Sequence, residues 1–419
     1  MSDTRTIKSF WWSPGQPTTR WFGILTLEAK ETPSLELFGE RGESSQHVQP
    51  VGNVIHGMDE HGKPITLLYA GSSGETISGA VATRKCSAGY ALIGIALPSA
   101  DNFVAHSLRF QLQHLYGWLG RSGFEKEADT SRTFTTHYKH PADDSFAITP
   151  DLDLVIHNTF EAHNGFQERR IREDAALTFR SKAGLSLTSG KKLISAMRTL
   201  LHFAVLQRVY PTWITAYQNG HGYEVADQWI DQDIEVVSSI LRESKSELPL
   251  ADRWLFRFED VRPNFADFIR EWLEYNEKFS EPLGCYASTI YHSLTSEMTL
   301  LTLTQALDAY HGIKFQSHDE RDFKMKAQQL LDAQAIPLRG LVDDTADFAE
   351  RVQVSRNYYT HHNPHWLTTG KVAERVDLIR MNEKLRLLFQ MCVLTDLRVP
   401  SDRFIRLRRQ LASQIIEYA

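Results

Sequence analysis

Cysteine is scarce: Cys86, Cys285 and Cys392 lie far apart in 419 residues, and none belongs to a CxxC pair. That spacing encodes neither a disulfide framework nor a cysteine zinc site, and it fits a reducing compartment. Long apolar runs are lacking as well. The longest candidate, GYALIGIALP, is nearer strand length than the roughly 18 residues of a membrane span. The opening MSDTRTIKSF has no signal-peptide pattern, so a cytoplasmic protein without membrane contact is expected. Positive charge is not in excess either. A formal net charge of -6 argues against nonspecific coating of nucleic acid, which needs surplus Lys and Arg to displace counterions, but it leaves room for a small RNA-cleaving groove. No repeat or low-complexity tract occurs.

What is present is apolar and aromatic content, 42% and 11%, ample for the cores of two or three domains. RWFGILTLEA, SLELFGE, PITLLYA, AGYALIGIAL, SLRFQLQHLY, DLVIHNTF and AALTFRSK alternate in the strand manner between turn-formers such as EHGKP, GSSGE and HPADD. Trp11, Trp12, Trp21 and Trp118 are expected to plug this β core. From about residue 187 the period turns helical, in KKLISAMRTLLHFAVLQRVY and again in IDQDIEVVSSILRE. After Pro263, with Asn264 as cap, Phe265, Phe268, Ile269, Trp272 and Phe279 recur at helical spacing. A long helix over STIYHSLTSEMTLLTLTQALDAYHG, ended by Gly312, is expected next. Helices over ERDFKMKAQQLLDA, TADFAERVQVSRNYYTHH and KVAERVDLIRMNEKLRLLFQMCVLTDL follow, and a last one carries Phe404, Leu407, Leu411 and Ile415 on one face. The expected fold is α+β and multidomain: a mainly β domain over 1–185, a helical connector over 186–260 and an all-α bundle over 261–419.

Several chemical signals are weak. GLSLTSGKK, residues 184–192, imitates a phosphate-binding loop, but five residues separate its glycines and Lys192 stands where Ser or Thr should bind magnesium. His361, His362 and His365 in HHNPH lack a helical pair with a glutamate base. Asp227, Asp231 and Asp233 read as a solvated acidic helix face, and Arg403, Arg406, Arg408 and Arg409 as a solvated face that could instead contact phosphate. No metal or cofactor is expected.

Arg356 and His361 are separated by four residues, a spacing that also joins Arg109 to His114 and Arg132 to His137. Asn357, directly after Arg356, and the position late in a helix that breaks at Asn363–Pro364 set the third apart. Asn357 and His361, four apart, share a helix face, while Phe348, Val352, Ser355 and Tyr359 define a neighbouring face toward the bundle. Arg356 is offset by about 140° from His361 at 3.6 residues per turn, a gap its long side chain can narrow. Histidine can take and return a proton near neutral pH. Arginine can fork onto two phosphate oxygens. RNA brings its own nucleophile, the 2'-hydroxyl, so these types suffice without a metal.

RNYYTH, residues 356–361, resembles the RNxxxH signature of HEPN-domain ribonucleases. FWWSPG and WFGILTLEA near the start, with PNFADFIREWLEYNEKF and EMTLLTLTQALDAYHG later, extend the similarity to ApeA-like anti-phage HEPN proteins over most of the chain. The resemblance implies a HEPN helical domain over 261–419 with Arg356, Asn357 and His361 catalytic. It implies a metal-independent endonuclease cutting RNA, tRNA among the candidates, to a 2',3'-cyclic phosphate and a 5'-hydroxyl. It also implies a homodimer with two such helices facing each other, a role in abortive-infection defence, and an N-terminal domain that restrains the nuclease or answers a phage trigger. His362 stands where the family often has a small residue, and Glu297, at the edge of an apolar face, is a candidate for orienting Arg356. The alternative is a noncatalytic interaction or nucleotide-binding module.

Overall fold

The computed structural model describes residues 4–40, 53–78, 81–127, 135–165, 169–226, 228–242, 254–316 and 322–400. The chain divides into two compact units, one formed by residues 1–117, 121–198 and 209–247, the other by 118–120, 199–208 and 248–419.

The first unit is built on an antiparallel sheet with 14 strands among the described residues. From one edge its order runs Asp144–Thr149, Leu152–Asn164, Arg169–Leu185, Ala105–Leu112, Pro211–Gln218, Ile234–Val237 and Tyr90–Ile93. It continues through Pro64–Leu68, Val54–Met58, Arg5–Trp12, Trp21–Leu27, Ser34–Glu40, Val81–Ser87 and Gly71–Ser78. Alternation explains the burial: in Trp21–Leu27, Gly23, Leu25 and Leu27 face the core and the intervening side chains do not. Trp11 is fully buried and sits opposite Gly57 in the ladder. A Cβ at Gly57 would overlap the indole, and one at Gly23 would lie 3.0 Å from Trp11 Cδ1, so glycine makes room for the ring. Trp12 and Trp21 are only half-buried.

Helix α1 (Leu115–Leu119) is a single short turn, and α2 (Leu187–Val205) begins in the stretch that imitates a phosphate loop. The stretch is a helix start instead: Ser186 Oγ accepts from Ser189 N–H at 3.1 Å. A Cβ at Gly190 would come within 2.9 Å of Leu108 Cδ2, so that glycine serves close packing of helix on sheet.

The second unit is helical: α3 (Phe258–Val261), α4 (Phe265–Lys278), α5 (Ser280–Tyr291), α6 (Ser296–Phe315), α7 (Phe323–Ala333), α8 (Ala335–Leu338), α9 (Thr345–His361) and α10 (Arg375–Asp396). Helix α6 lies among α5, α7, α9 and α10. Leu300, Leu303 and Leu307 of α6 are buried, as are Val352 of α9 and Leu388 of α10. Tyr286 and Phe389 stack at 4.9 Å between centroids, and Gln390 Nε2 donates to Tyr286 OH at 2.6 Å, which satisfies the buried phenol.

A mainly β region followed by an all-α region is thus what the chain forms, with four local corrections. The segment 186–260, expected as a helical connector, is helical only in α2 and α3 among its described residues; Pro211–Gln218 and Ile234–Val237 join the large sheet. The β-branched Ile234, Val236 and Val237 in IDQDIEVVSSILRE bury against sheet neighbours, a packing that overrides the helical spacing. Trp118 is buried, but in the second unit, where its indole N–H donates to Phe256 O at 3.1 Å beside Phe258 and Phe265. The long helix expected over 288–312 is two: α5 stops at Tyr291, Thr295 caps α6 by accepting from Met298 N–H, and α6 passes Gly312 to end at left-handed Gln316. Asn264 precedes α4 without a side-chain cap bond. The arginine-rich segment 401–419, Arg132 and Asp227 lie outside the described residues.

Candidate active site

Helix α9 carries Arg356, Asn357 and His361 in its last turns. Asp344 starts it, the carboxylate accepting from Asp347 N–H at 2.9 Å and so satisfying one of the first-turn donors. Phe348, Val352 and Ser355 are buried, the face expected to point into the bundle. The helix stops at His361 because His362 turns left-handed, φ 49°, and its N–H closes on Tyr358 O at 2.6 Å. Asn363 then caps a short 3-10 turn begun by Pro364, its side chain accepting from His365 N–H at 3.0 Å.

Arg356 is aimed by two contacts. Its guanidinium lies over the Phe323 ring of α7, Cζ 4.9 Å from the centroid, and Nη2 is 3.6 Å from Asp308 Oδ2 of α6. The other oxygen of Asp308 accepts from Lys326 Nζ at 2.7 Å. One carboxylate therefore serves two cations, and a positive charge is left over. Arg356 and Asp308 each keep 29% of the side chain exposed, so that charge can be reached from solvent.

Asn357 Oδ1 accepts from Gln353 Nε2 at 3.0 Å, and its amide N–H groups have no acceptor among the described residues. His361 is exposed, and its side chain has no hydrogen bond to other described residues. His362 differs: besides closing the helix, it sets its ring edge-on to Tyr358 at 5.9 Å. No side-chain hydrogen bond joins Arg356, Asn357 and His361 to one another; what unites them is the end of one helix.

The chain beyond His361 is tied back to that helix. Ser355 Oγ accepts from Ala373 N–H at 2.9 Å, and Tyr359 OH donates to Ala373 O at 2.8 Å. Lys371 Nζ reaches Glu350 Oε1 at 2.6 Å, while Lys324 Nζ takes Glu350 Oε2 at 3.0 Å. Hydrogen bonds and charge from Lys371 and Lys324 hold the Glu350 carboxyl below its ordinary range, and Glu350 raises Lys371 in return.

Glu297 does not orient Arg356. It sits in the first turn of α6, its carboxyl held low by its own backbone N–H and the Thr295 hydroxyl, and its charge acts on Tyr359. Asp308 is eleven residues further, about three turns on the same stripe of the helix. Phe323 and Lys326 carried no sequence signal of their own. Among the described residues no group of three or more His, Cys, Asp and Glu side chains is placed to hold a metal ion. Arg109 and His114 belong to and follow a sheet strand, far in sequence from any helix end of this kind.

Residues 6–272 match the family model described as ApeA N-terminal domain 1, and residues 301–403 match the one described as Apea-like HEPN. No curated protein and no solved structure matches the chain.

Proposed function

Because the chain belongs to the ApeA-like HEPN family, we propose that it is an RNA endonuclease that acts in abortive-infection defence against phage and uses no metal. The observation that carries this reading is the shared carboxylate: Asp308 divides itself between Lys326 and Arg356, so Arg356 presents a positive charge on the helix that ends at the exposed His361. A scissile phosphate of RNA has the charge and shape that the guanidinium fork accepts.

His361 removes the proton from the 2'-hydroxyl. The 2'-oxygen then attacks phosphorus, the bond from phosphorus to the 5'-oxygen breaks, and the imidazolium formed on His361 gives its proton to that oxygen. The products are a 2',3'-cyclic phosphate and a 5'-hydroxyl. Arg356 stabilises the crowded dianion and Asn357 donates its amide N–H to a phosphate oxygen. General acid–base action contributes about 10²- to 10⁴-fold and aimed charge roughly 10²- to 10³-fold. The offset of about 140° between Arg356 and His361 around the helix favours a site completed by a second copy, with the two α9 ends facing each other in a homodimer.

A second reading, a noncatalytic HEPN interaction module, is favoured by the absence of any side-chain hydrogen bond among the three residues. Purified protein incubated with cellular RNA in EDTA decides between the two. Cyclic-phosphate ends that disappear with His361→Ala and Arg356→Ala are expected. RNA bound and left intact by the unaltered protein, or equal phage protection by all three, overturns the nuclease.

A further inference from the structure

The first unit holds a second cluster of polar groups, on one face of its sheet and independent of α9. Arg109 stands directly opposite Thr178 in the ladder, and Thr178 in turn stands opposite Val155. Opposed residues share a face, as do residues two apart along a strand. Arg180, two residues from Thr178, and His157, two from Val155, therefore join Arg109 and Thr178 on that face.

The cluster is short of partners. Arg109 has its Nε buried with no hydrogen bond, and Thr178, only 3% exposed, has an equally unpartnered hydroxyl. Buried polar atoms left this way cost stability unless something accepts from them. Neither arginine has an ion pair among the described residues; Asp153, opposite Arg180, forms none with it. The nearby carboxylate is already engaged. Asp143 Oδ2 lies 2.6 Å from His157 Nδ1 and Oδ1 accepts from Asn158 N–H at 3.0 Å, so the imidazole is fixed with Nε2 turned away from Asp143. Burial, reinforced by the charges of Arg109 and Arg180, pushes His157 below its ordinary value in spite of Asp143. A neutral ring donating from Nδ1 offers Nε2 as an acceptor. Trp213 lies 6.0 Å from the Arg109 guanidinium and adds an aromatic surface.

We propose that this face binds the phosphate of a small phosphorylated ligand of nucleotide type, held by Arg109, Arg180 and the Thr178 hydroxyl, with His157 accepting from a ligand hydroxyl. Two cations and a hydroxyl donor meet one oxyanion's needs. Burial favours a small ligand over a strand of nucleic acid, because the side chain of His157 is only 14% exposed and Thr178 is buried, whereas a polynucleotide is tracked by a row of exposed cations.

Calorimetric titration of the full-length protein with ATP, AMP, inorganic phosphate and a short single-stranded RNA lacking terminal phosphates tests this. Binding of ATP or AMP is expected, weakened about 10- to 100-fold by Arg180→Gln and at least as much by Arg109→Met. Arg180 is exposed, so its variant keeps the unfolding midpoint, and His361→Ala binds normally because the two sites are separate. No binding of any phosphate compound, undiminished binding in Arg180→Gln, or binding of the RNA alone overturns the proposal.

Discussion

Ser355 and Tyr359, one helical turn apart, grip the two backbone groups of Ala373: the hydroxyl of Ser355 accepts from its N–H at 2.9 Å, and the phenol of Tyr359 donates to its carbonyl at 2.8 Å. The segment that leaves His361 is thereby fastened to the helix that carries His361. Ser355 is fully buried, so Ser355→Ala strands the Ala373 N–H away from water and should cost about 1–3 kcal/mol. Tyr359→Phe leaves the carbonyl of buried Ala373 without its donor and should cost about 1–3 kcal/mol. Urea unfolding measures both. Equal stability of Ser355→Ala and the parent protein would show that the clamp is idle.

Arg356 depends on Asp308 for direction rather than for neutralisation. Arg356→Lys keeps the charge but loses the fork, and RNA cleavage should fall by about 100-fold. Asp308→Asn keeps the volume and frees the guanidinium to wander. Its kcat should drop on the order of 10- to 100-fold with KM little changed, and Asp308→Glu should recover part of the loss. Because both groups are 29% exposed, solvent screens the pair and little stability is at stake. A change in KM alone would mean that Asp308 acts on substrate binding instead.

The β-then-α division, most strands and the helix bearing Arg356, Asn357 and His361 were legible in the sequence, because period 2 and period 3.6 are strongly separated over those stretches. Ile234–Val237 was misread since a short β-branched run satisfies both periods and only its sheet neighbours decide. The break between Tyr291 and Ser296 was hidden because Thr295 is an ordinary residue until its hydroxyl finds the Met298 N–H. At the site, the helix end was visible in Asn363–Pro364. Asp308 was not: which acidic residue on the stripe of α6 meets Arg356 depends on where α6 crosses α9, a tertiary fact. In the sequence Arg109 shows only a chance Arg–His spacing, and its place opposite Thr178 emerges from ladder register.

Gly57 opposite Trp11 tests the sheet core. A methyl group there collides with a fully buried indole, and neither the ring nor the strand can give way cheaply. Gly57→Ala should destabilise the protein by about 1–3 kcal/mol, read as a lowered urea midpoint. Gly15→Ala, where nothing lies within 4 Å of the added carbon, is the control and should leave the midpoint where it was.

Asp396, at the end of α10, accepts from Tyr310 OH at 2.7 Å and Tyr275 OH at 3.2 Å, and it pairs with Lys314. Burial pushes both phenols far above their ordinary value. The Asp396 charge adds to the rise of Tyr275, and the nearby Cys392 and Tyr275 to that of Tyr310. The buried Cys392 thiol is raised as well. The folded chain thus holds these protons at a pH where the unfolded chain has released them. The stabilisation is complete below about pH 9, begins to fall where an unfolded thiol titrates, and is lost as pH climbs through the phenol range toward the raised values. The unfolding free energy should therefore fall steeply above about pH 10. Tyr275→Phe with Tyr310→Phe should be weaker at pH 7, by about 1–3 kcal/mol for the hydrogen bonds removed, yet decline more gently in alkali because two of the titrating groups are gone. Urea unfolding across that range gives both slopes, and equal slopes would mean that the alkaline transition belongs to other groups.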